Sequence, residues 1–438
     1  MQRTITIVVG LMLLLTLSAP GAAALFGDEL VGGSSLLDAA VGLQPSTGNP
    51  ARLLAPTNQE FALELPLTAS LSAWNISTLQ LLGETWTDEQ RDRVGAGVGT
   101  GGLTAAVQAG PFLGYRYGNY AGRVGVRGIG AATVPKSITD IAFYGIDLVG
   151  DTFGDDVTHA FDLSETDGWG AAYLEAAASA AVDMPAAAEA LGVQHVTAGV
   201  TVKYLRGLAY VSTDIRGRLE AESVAADTTI TVTDLQIGYV ESTSGQGFGA
   251  DLGVSVQVND RITVDASILN IGRIVWSGVS GESMVLPEDH EGTLLGFSFT
   301  RDPFAFAIEF DEDLELEEIA YDGSDIAMTL PLELRLGASY VWNPQVTFAG
   351  QIHHTRVTRS QTQRSVSSVS MAAEYRPLEI LPLRTSLTVN SRAGVQLNAG
   401  FGVHSGPVRF DASLTNVAGL LFDTSGGMGF GMRIGVGF

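Results

Sequence analysis

The sequence contains no cysteine among its 438 residues, which excludes disulfide bonds, thiolate metal sites and a cysteine nucleophile. Lysine is almost as scarce, because Lys136 and Lys203 are the only lysines and every other basic residue except histidine is arginine. Charged residues make up 16% of the chain, and the net charge is −24. Since such an acidic surface repels phosphates, we expect no nucleic acid among the partners.

Long apolar runs are also missing after the N-terminus, so the sequence does not predict a helical membrane protein. The first 24 residues are different: Arg3 is followed by the apolar stretch Ile5–Leu17 and by the small residues Ala22–Ala24. This order is typical of a secretory signal peptide. We therefore predict an exported protein, with a signal peptide at residues 1–24 that is cleaved near Ala24.

A two-residue period dominates the chain from about residue 58 onward. In Phe61–Leu71 the odd positions are mostly apolar, and in Phe248–Val258 the even positions are apolar. This alternation is the pattern of β-strands with one apolar face. About sixteen strands are predicted, near 59–73, 101–117, 120–132, 167–182, 194–211, 247–258, 261–274, 292–300, 304–310, 327–342, 346–357, 366–376, 384–391, 394–404, 408–418 and 427–438.

The connections between these strands alternate in length. Turn-rich joints occur at Gly118-Asn119, Asn259-Asp260, Arg301-Asp302-Pro303, Trp342-Asn343-Pro344 and His404-Ser405-Gly406-Pro407, and longer polar segments fall between them, as at 212–246. Two short helical inserts are expected, at Thr87–Val94 and Ser137–Val149. Tight turns at one end and long loops at the other are typical of an up-and-down barrel.

The predicted fold is therefore all-β: an antiparallel up-and-down transmembrane β-barrel of 14–16 strands. Aromatic residues near the predicted strand ends, including Trp276, Trp342 and Tyr210, are expected at the membrane interfaces. A soluble sheet whose polar faces meet solvent is the alternative. A water-filled or plugged lumen accommodates the charged residues of the polar faces, and the predicted lumen-lining set is Asp251, Asp265, Glu309, Glu333, Arg335, Arg409, Asp411 and Arg433.

The chain ends in GMGFGMRIGVGF, in which bulky apolar residues alternate with glycine. The apolar residues are expected to meet lipid, while the glycine face points inward toward the N-terminal segment or the first strand, Phe61–Leu71. Glycines that only ease the curvature of closure are the alternative. The predicted barrel-assembly signal comprises Phe430, Ile434, Val436 and the terminal Phe438.

Three stretches of the chain resemble the FadL-like outer-membrane barrels and their PorV-type relatives. Gly48-Asn49-Pro50-Ala51 precedes the first strand, Gly247–Gly253 followed by Val258–Val264 resembles a mid-barrel hairpin, and Phe438 resembles the terminal aromatic of outer-membrane proteins. The resemblance implies fourteen strands, an N-terminal plug inside the barrel and a route for hydrophobic molecules. The domains expected are the signal peptide (1–24), a plug (25–57) and a barrel (58–438).

The resemblance implies an outer-membrane channel or transporter for small, hydrophobic molecules. Gly48, Asn49, Pro50 and Ala51 are the candidate gate residues. The alternative is a non-transporting scaffold or shuttle that binds a secreted or surface partner through its outer loops. Expected partners are outer-membrane lipid, the barrel-assembly machinery, and either a hydrophobic small molecule or a secreted protein.

The sequence offers few signs of chemistry. Gly97–Gly102 matches G-x-G-x-x-G, but a charged helix precedes it and a strand follows, which is the reverse of a dinucleotide site. His353 and His354 are adjacent on a predicted strand and face opposite sides. We predict no cofactor and no enzymatic activity, although an enzyme within a barrel is a third alternative.

The acidic stretch Glu309–Glu318 is either a solvated loop or a divalent-cation site built on Asp311, Asp313 and Glu315.

Overall fold

The computed structural model describes residues 48–54, 59–71, 102–136, 139, 157–163, 166–224, 227–286, 292–299, 306–310, 317–359, 362–391, 394–418 and 428–437. The signal peptide, most of the 25–57 segment, the insert Thr87–Val94 and the terminal Phe438 lie outside the described residues. Of the second predicted insert, Ser137–Val149, the structure describes Thr139 alone, which is helical.

The described residues are mostly strand. A 3-10 helix spans Pro50–Leu54 and helix α1 spans Pro185–Leu191. The strands are β1 (Gln59–Leu71), β2 (Leu103–Ala109), β3 (Phe112–Tyr117), β4 (Tyr120–Val134), β5 (Val157–Asp162), β6 (Thr166–Asp183), β7 (His195–Val224), β8 (Asp227–Ser242), β9 (Ser244–Gln257), β10 (Ile262–Ser277), β11 (Ser280–Val285), β12 (Gly292–Phe299), β13 (Phe306–Phe310), β14 (Glu317–Ala320), β15 (Ile326–Thr329), β16 (Leu332–Asn343), β17 (Val346–Arg359), β18 (Thr362–Leu378), β19 (Leu381–Asn390), β20 (Gly394–Ser405), β21 (Val408–Thr415) and β22 (Met428–Gly437).

Antiparallel pairing joins these strands into a closed barrel of fourteen wall strands, which confirms the predicted fold class. In ring order the wall is β1, β2 with β3, β4, β6, β7, β9, β10, β15 with β16, and then β17 to β22 in sequence. The ring closes where β22 pairs with β1, from Glu60 opposite Gly437 to Ala69 opposite Met428. The final strand therefore adjoins the first strand.

Strand β2 and strand β3 form one wall strand with an interruption at Gly110 and Pro111. Both pieces pair with β1 in a single register, since Leu67 lies opposite Ala109 and Glu64 lies opposite Phe112. Proline has no N–H to donate, so the hydrogen-bonded ladder breaks there without a register shift.

The tally of sixteen strands was two too many, because β12 and β13 are not part of the wall. They pair with each other, and β12 also pairs with β8, while β10 finds its wall neighbours in β9 and β15–β16. The two-residue period occurs in any half-buried sheet, so it cannot separate a wall strand from a hairpin outside the wall.

The same sheet extends beyond the barrel wall at the end with long connections. The 30-residue strand β7 continues past the wall, where it pairs with β5 and β8, and β8 pairs in turn with β11. The stretch 212–246, which was predicted as a long polar loop, is strand over most of its length. The structure therefore replaces that loop with the outer half of β7 and with β8.

The wall strands are apolar outside and polar inside. Strand β19 shows the pattern, because Leu383, Leu387 and Val389 are exposed while Arg384 and Thr388 are buried. A soluble sheet would bury its apolar face, so the alternation here rules out the reading in which the polar faces meet solvent. It is the arrangement of a wall that faces lipid.

The short turns meet at one end of the barrel, which carries exposed aromatic residues. Tyr117 and Tyr120 flank the turn between β3 and β4, and Trp342 lies at the end of β16; all three are at least 60% exposed. Aromatic side chains at this level are typical of the interface between a membrane and water. No helix in the described part of the chain is long and apolar enough to cross a membrane.

Candidate functional site

The segment Asn49–Leu54 lies against the inner surface of the wall. The side-chain amide of Asn49 donates hydrogen bonds to the carbonyl oxygens of Val254, at 2.9 Å, and Ala266, at 3.3 Å, which are register partners on β9 and β10. Its Oδ1 accepts from the backbone N–H of Ala51 at 3.0 Å. One buried side chain therefore fixes the start of the 3-10 helix to two wall strands.

Two wall glycines provide the space in which this segment lies. A Cβ added at Gly253 would come within 1.8 Å of Asn49 Oδ1, and one added at Gly199 would come within 2.3 Å of the Pro50 carbonyl carbon. Real Cβ atoms do not approach other heavy atoms so closely, so any side chain at either position displaces the segment. Gly199 on β7 and Gly253 on β9 are also register partners.

Two arginines connect the segment to different parts of the wall. Arg52 pairs with Asp265 on β10, with its Nε 2.7 Å from Oδ1. Arg116 on β3 donates from its guanidinium to the carbonyl oxygen of Leu53, a fully buried residue. Since β6, β7 and β9 lie between β3 and β10 in the ring and contact the 3-10 helix, the segment runs along the inner wall across several strands instead of following one strand.

Buried charges continue from the segment around one side of the interior. Arg123 and Arg127 on β4 both pair with Glu175 on β6, and both guanidinium groups lie 5.4 Å from the centre of the Phe112 ring. These side chains face inward and are at most 11% exposed. Burial of charge at this density requires the pairing that the structure shows.

The same network extends along the next strands. Lys203 Nζ lies 2.7 Å from Asp251 Oδ1 and 2.6 Å from Asn270 Oδ1. The Asn270 amide donates to Glu333 Oε1 at 3.0 Å, and Arg335 donates to Glu333 Oε2 at 2.5 Å. The resulting chain of contacts runs from β7 to β16 without leaving the inner face.

A second charge cluster occupies the opposite wall. Arg384 on β19 bridges Glu374, at 2.8 Å, and Asp411, at 2.6 Å. Arg376 also pairs with Glu374, and His404 Nε2 lies 3.0 Å from Asp411 Oδ1. Acidic and basic side chains therefore alternate on both sides of the interior near the short-turn half.

The interior becomes apolar toward the end with long connections. Tyr210 and Trp276 stack there with ring centres 5.3 Å apart, and both are buried. The apolar cluster comprises Ala106, Ile129, Ala131, Trp169, Ala171, Tyr173, Leu205, Tyr210, Ile274, Trp276, Val279, Met328, Leu330 and Val357. Tyr210 and Trp276 were expected at the membrane interface, but both occupy inward-facing positions of their strands and are buried, so they pack inside.

The structure places most of the predicted lumen residues on the inner face. Asp251, Glu333, Asp411 and Arg433 are buried there, and Asp265 pairs with Arg52. Arg335 pairs with its neighbour Glu333 as the spacing suggested, whereas Asp411 pairs with Arg384 and His404 and not with Arg409, which is half-buried. Glu309 was misassigned, because it lies on β13, outside the ring of wall strands.

Some of the other predicted site residues lie in the described part of the chain, and the rest lie outside it. Phe430 and Ile434 on β22 are exposed on the outer face and Val436 is half-buried, while Gly431 and Gly435 are buried on the inner face. The metal candidates Asp311, Asp313 and Glu315 lie outside the described residues. No group of three or more metal-ligating side chains occurs in the part of the chain that the structure describes.

Sequence reasoning missed Glu175, Lys203, Glu374 and Arg384, which carry the interior ion pairs. Lys203 had a signal, since it is one of two lysines and stands at an inward position between Val202 and Tyr204. His353 and His354 do face opposite sides, because His353 is buried beside Thr355 whereas His354 hydrogen-bonds to Ser367 at an exposed position.

The strand ring and its interior define the class of the protein: a closed, fourteen-stranded antiparallel β-barrel with a chain segment held against the inner wall. A family model described as a family of unknown function (DUF5723) matches residues 104–413. Because that match spans more than half of the sequence, the chain belongs to this family. A search of curated proteins returns no match.

Several solved structures resemble the chain at low identity. The toluene transporter TbuX of Ralstonia pickettii is 13% identical, with 92% of this chain and 98% of that chain covered and a TM-score of 0.46. A FadL homologue of Pseudomonas aeruginosa is 13% identical, with 89% and 93% covered and a TM-score of 0.47. The toluene transporter TodX of P. putida is 12% identical, with 90% and 95% covered and a TM-score of 0.43.

Proposed function

We propose that the protein is an outer-membrane channel for small hydrophobic molecules and that its N-terminal segment is the gate. The observation that carries the proposal is the seat of Asn49–Leu54, which is fixed to β9 and β10 at one side and to β3 at the other. A segment held inside the barrel by a few polar contacts narrows the passage and is released when those contacts break.

The outer membrane as the site of action is supported by the alternation of the wall. Exposed apolar side chains cover the outer face, and the exposed aromatic residues Tyr117, Tyr120 and Trp342 lie at the short-turn end. Short turns of such barrels face the periplasm, so the extension of the sheet at the other end faces outward. The proposed signal peptide accounts for export.

A hydrophobic cargo is supported by the apolar cluster that contains Tyr210 and Trp276. It occupies the half of the interior farther from the segment Asn49–Leu54, so a molecule entering from outside meets apolar side chains before the gate. The FadL-like resemblance of the sequence implies the same class of cargo.

The gate is tested by liposome swelling with purified protein. Replacement of Asn49 by Leu and Arg52 by Leu removes both side-chain anchors, so we expect swelling in the small sugar arabinose to accelerate severalfold over the unmodified protein. Gly350→Ala is the control, because a Cβ there has no neighbour closer than 3.8 Å and the residue lies on β17, away from the segment. Equal swelling of all three proteins would refute the gate.

A second candidate function, a scaffold for a secreted partner, is favoured by one observation. The outer half of β7 builds a sheet with β5, β8, β11 and β14 that is not needed to close the barrel. A docking platform accounts for this extension better than transport does. Under this alternative, shortening β7 and β8 by matched lengths abolishes partner binding but leaves swelling unchanged. A channel role alone predicts that neither the unmodified protein nor the shortened variant has a bound partner.

A further inference from the structure

A groove of about 700 Å³ lies on the outer face of the wall, over β4 and β6. Its floor is made of small residues, Gly122 on β4 and Ala176 and Ala178 on β6. Its volume falls within the range of small-molecule sites, which is roughly 300–1,000 Å³. We propose that this groove binds one acyl chain of a phospholipid from the leaflet on the short-turn side.

The strand register explains why a groove forms here. Tyr115, Gly122, Ala178 and Val202 are successive register partners on β3, β4, β6 and β7, so a row across the wall reads large, small, small, large. Because the side chains in the middle of the row are small and those on both sides are large, a groove forms that runs along β4 and β6.

The adjacent row of register partners extends the same groove. Leu113, Val124, Ala176, Tyr204 and Phe248 follow one another across β3, β4, β6, β7 and β9. Tyr204 and Phe248 contact edge to face, with ring centres 5.6 Å apart, which makes one rim of the groove aromatic. The other rim carries Phe61 and Tyr115.

The chemistry of the lining selects hydrocarbon. The charged side chains of Arg123 and Lys203 belong to strands that line the groove, but they are buried on the inner face in pairs with Glu175 and Asp251. The outward groups are aliphatic or aromatic, and Phe248 is 72% exposed. An exposed depression in a lipid-facing wall is filled by the solvent of that wall, which is acyl chain.

The position of the groove selects the leaflet. From Tyr204 and Phe248 it descends along β6 toward the turn between β3 and β4, where the exposed phenol groups of Tyr117 and Tyr120 lie. Tyrosines at this level meet lipid headgroups, so a chain in the groove has its polar end at the short-turn surface. In the orientation proposed above, that surface borders the phospholipid leaflet.

The test uses native mass spectrometry on the full-length barrel after reconstitution with dioleoyl phosphatidylethanolamine and extraction into detergent. Gly122→Leu fills the groove without a clash, because a Cβ at Gly122 has no neighbour nearer than 3.9 Å. Gly350→Leu adds the same side chain to the outer face of β17, where the nearest atom is 3.8 Å away. Unmodified protein and Gly350→Leu are expected to retain one phospholipid, and Gly122→Leu roughly tenfold less, since about two buried methylenes are displaced.

The proposal is overturned if all three proteins retain the same amount of phospholipid, if the unmodified protein retains none, or if a dimer that Gly122→Leu abolishes appears in place of bound lipid. The lipid site rests on the proposed membrane location but not on the gate. Arabinose swelling, measured for Gly122→Leu as well, separates the channel proposal from the lipid proposal. If the gate assay fails while lipid is still retained, the channel alone is refuted. If the gate assay succeeds while no lipid is retained, the lipid site alone is refuted.

Discussion

Single residues hold the N-terminal segment to the wall, each through a specific contact. The Asn49 amide satisfies the carbonyls of Val254 and Ala266, and the missing side chains of Gly199 and Gly253 leave room for it. Buried hydrogen bonds contribute little net stability, but losing one partner leaves the other unsatisfied.

Gly199→Ala is expected to unseat the segment while the barrel stays folded. Alanine suits a strand at least as well as glycine, yet its Cβ would overlap the backbone of Pro50 and Ala51. We expect faster proteolysis of the N-terminal segment at unchanged barrel stability, measured by limited proteolysis and heat-modified gel mobility. Protection equal to that of Gly350→Ala would contradict the proposed seat.

Lys203→Met tests the interior charge network. Lys203 pairs with Asp251 where both side chains are at most 5% exposed, so its loss leaves a buried carboxylate without its cation. We expect the free energy of unfolding to fall by about 3–5 kcal/mol. Urea unfolding in lipid vesicles, followed by tryptophan fluorescence, measures the change.

Arg216→Met is the matched control for that prediction. Arg216 pairs with Asp214 at 3.0 Å, but the two side chains are 64% and 44% exposed, so solvent screens the pair. Its loss is expected to cost no more than about 1 kcal/mol. Similar losses for Lys203→Met and Arg216→Met would show that Lys203 is not buried as described.

At the scale of strands, the pairing order determines which strands form the closed wall. The number of segments with a two-residue period does not determine it. The hairpin β12–β13 has the same two-residue period as the wall but pairs outside it. Strand β7 serves both regions, because its first half pairs with β6 and β9 and its second half with β5 and β8.

Replacement of residues 292–310 by a short Gly-Ser linker is therefore expected to leave the barrel closed. The wall contacts of β10 are made with β9, β15 and β16, so none is removed. The variant is expected to keep the heat-modified gel mobility of a closed barrel. Deletion of the wall hairpin β19–β20 is the control and is expected to prevent closure; loss of closure in both proteins would place β12–β13 in the wall.

The sequence allowed the strands and the short turns to be predicted, because alternation and turn residues are local signals. The Glu333–Arg335 pair was also accessible, since residues two apart in a strand share a face. The bond between Arg52 and Asp265 was not, because it joins positions 213 residues apart. Gly199 and Gly253 had no local signal either, since their role depends on a segment that approaches from elsewhere in the fold.

At the scale of the whole molecule, three layers follow one another along the barrel axis. The segment Asn49–Leu54 lies nearest the short turns, the ion pairs of Lys203 and Glu333 lie in the middle, and the cluster with Trp276 lies beyond them. Under the proposed function, access from the outside to the other side of the membrane depends on whether the segment stays in place.

Removal of the seat by a single added methyl group tests that dependence most directly. Gly199→Ala places a Cβ within 2.3 Å of the Pro50 carbonyl carbon, whereas Gly350→Ala adds the same group where the nearest atom is 3.8 Å away. Single-channel recording in a planar bilayer compares these two variants with the unmodified protein. The proposed gate predicts a severalfold higher conductance for Gly199→Ala than for the other two proteins; equal conductance of all three would contradict it.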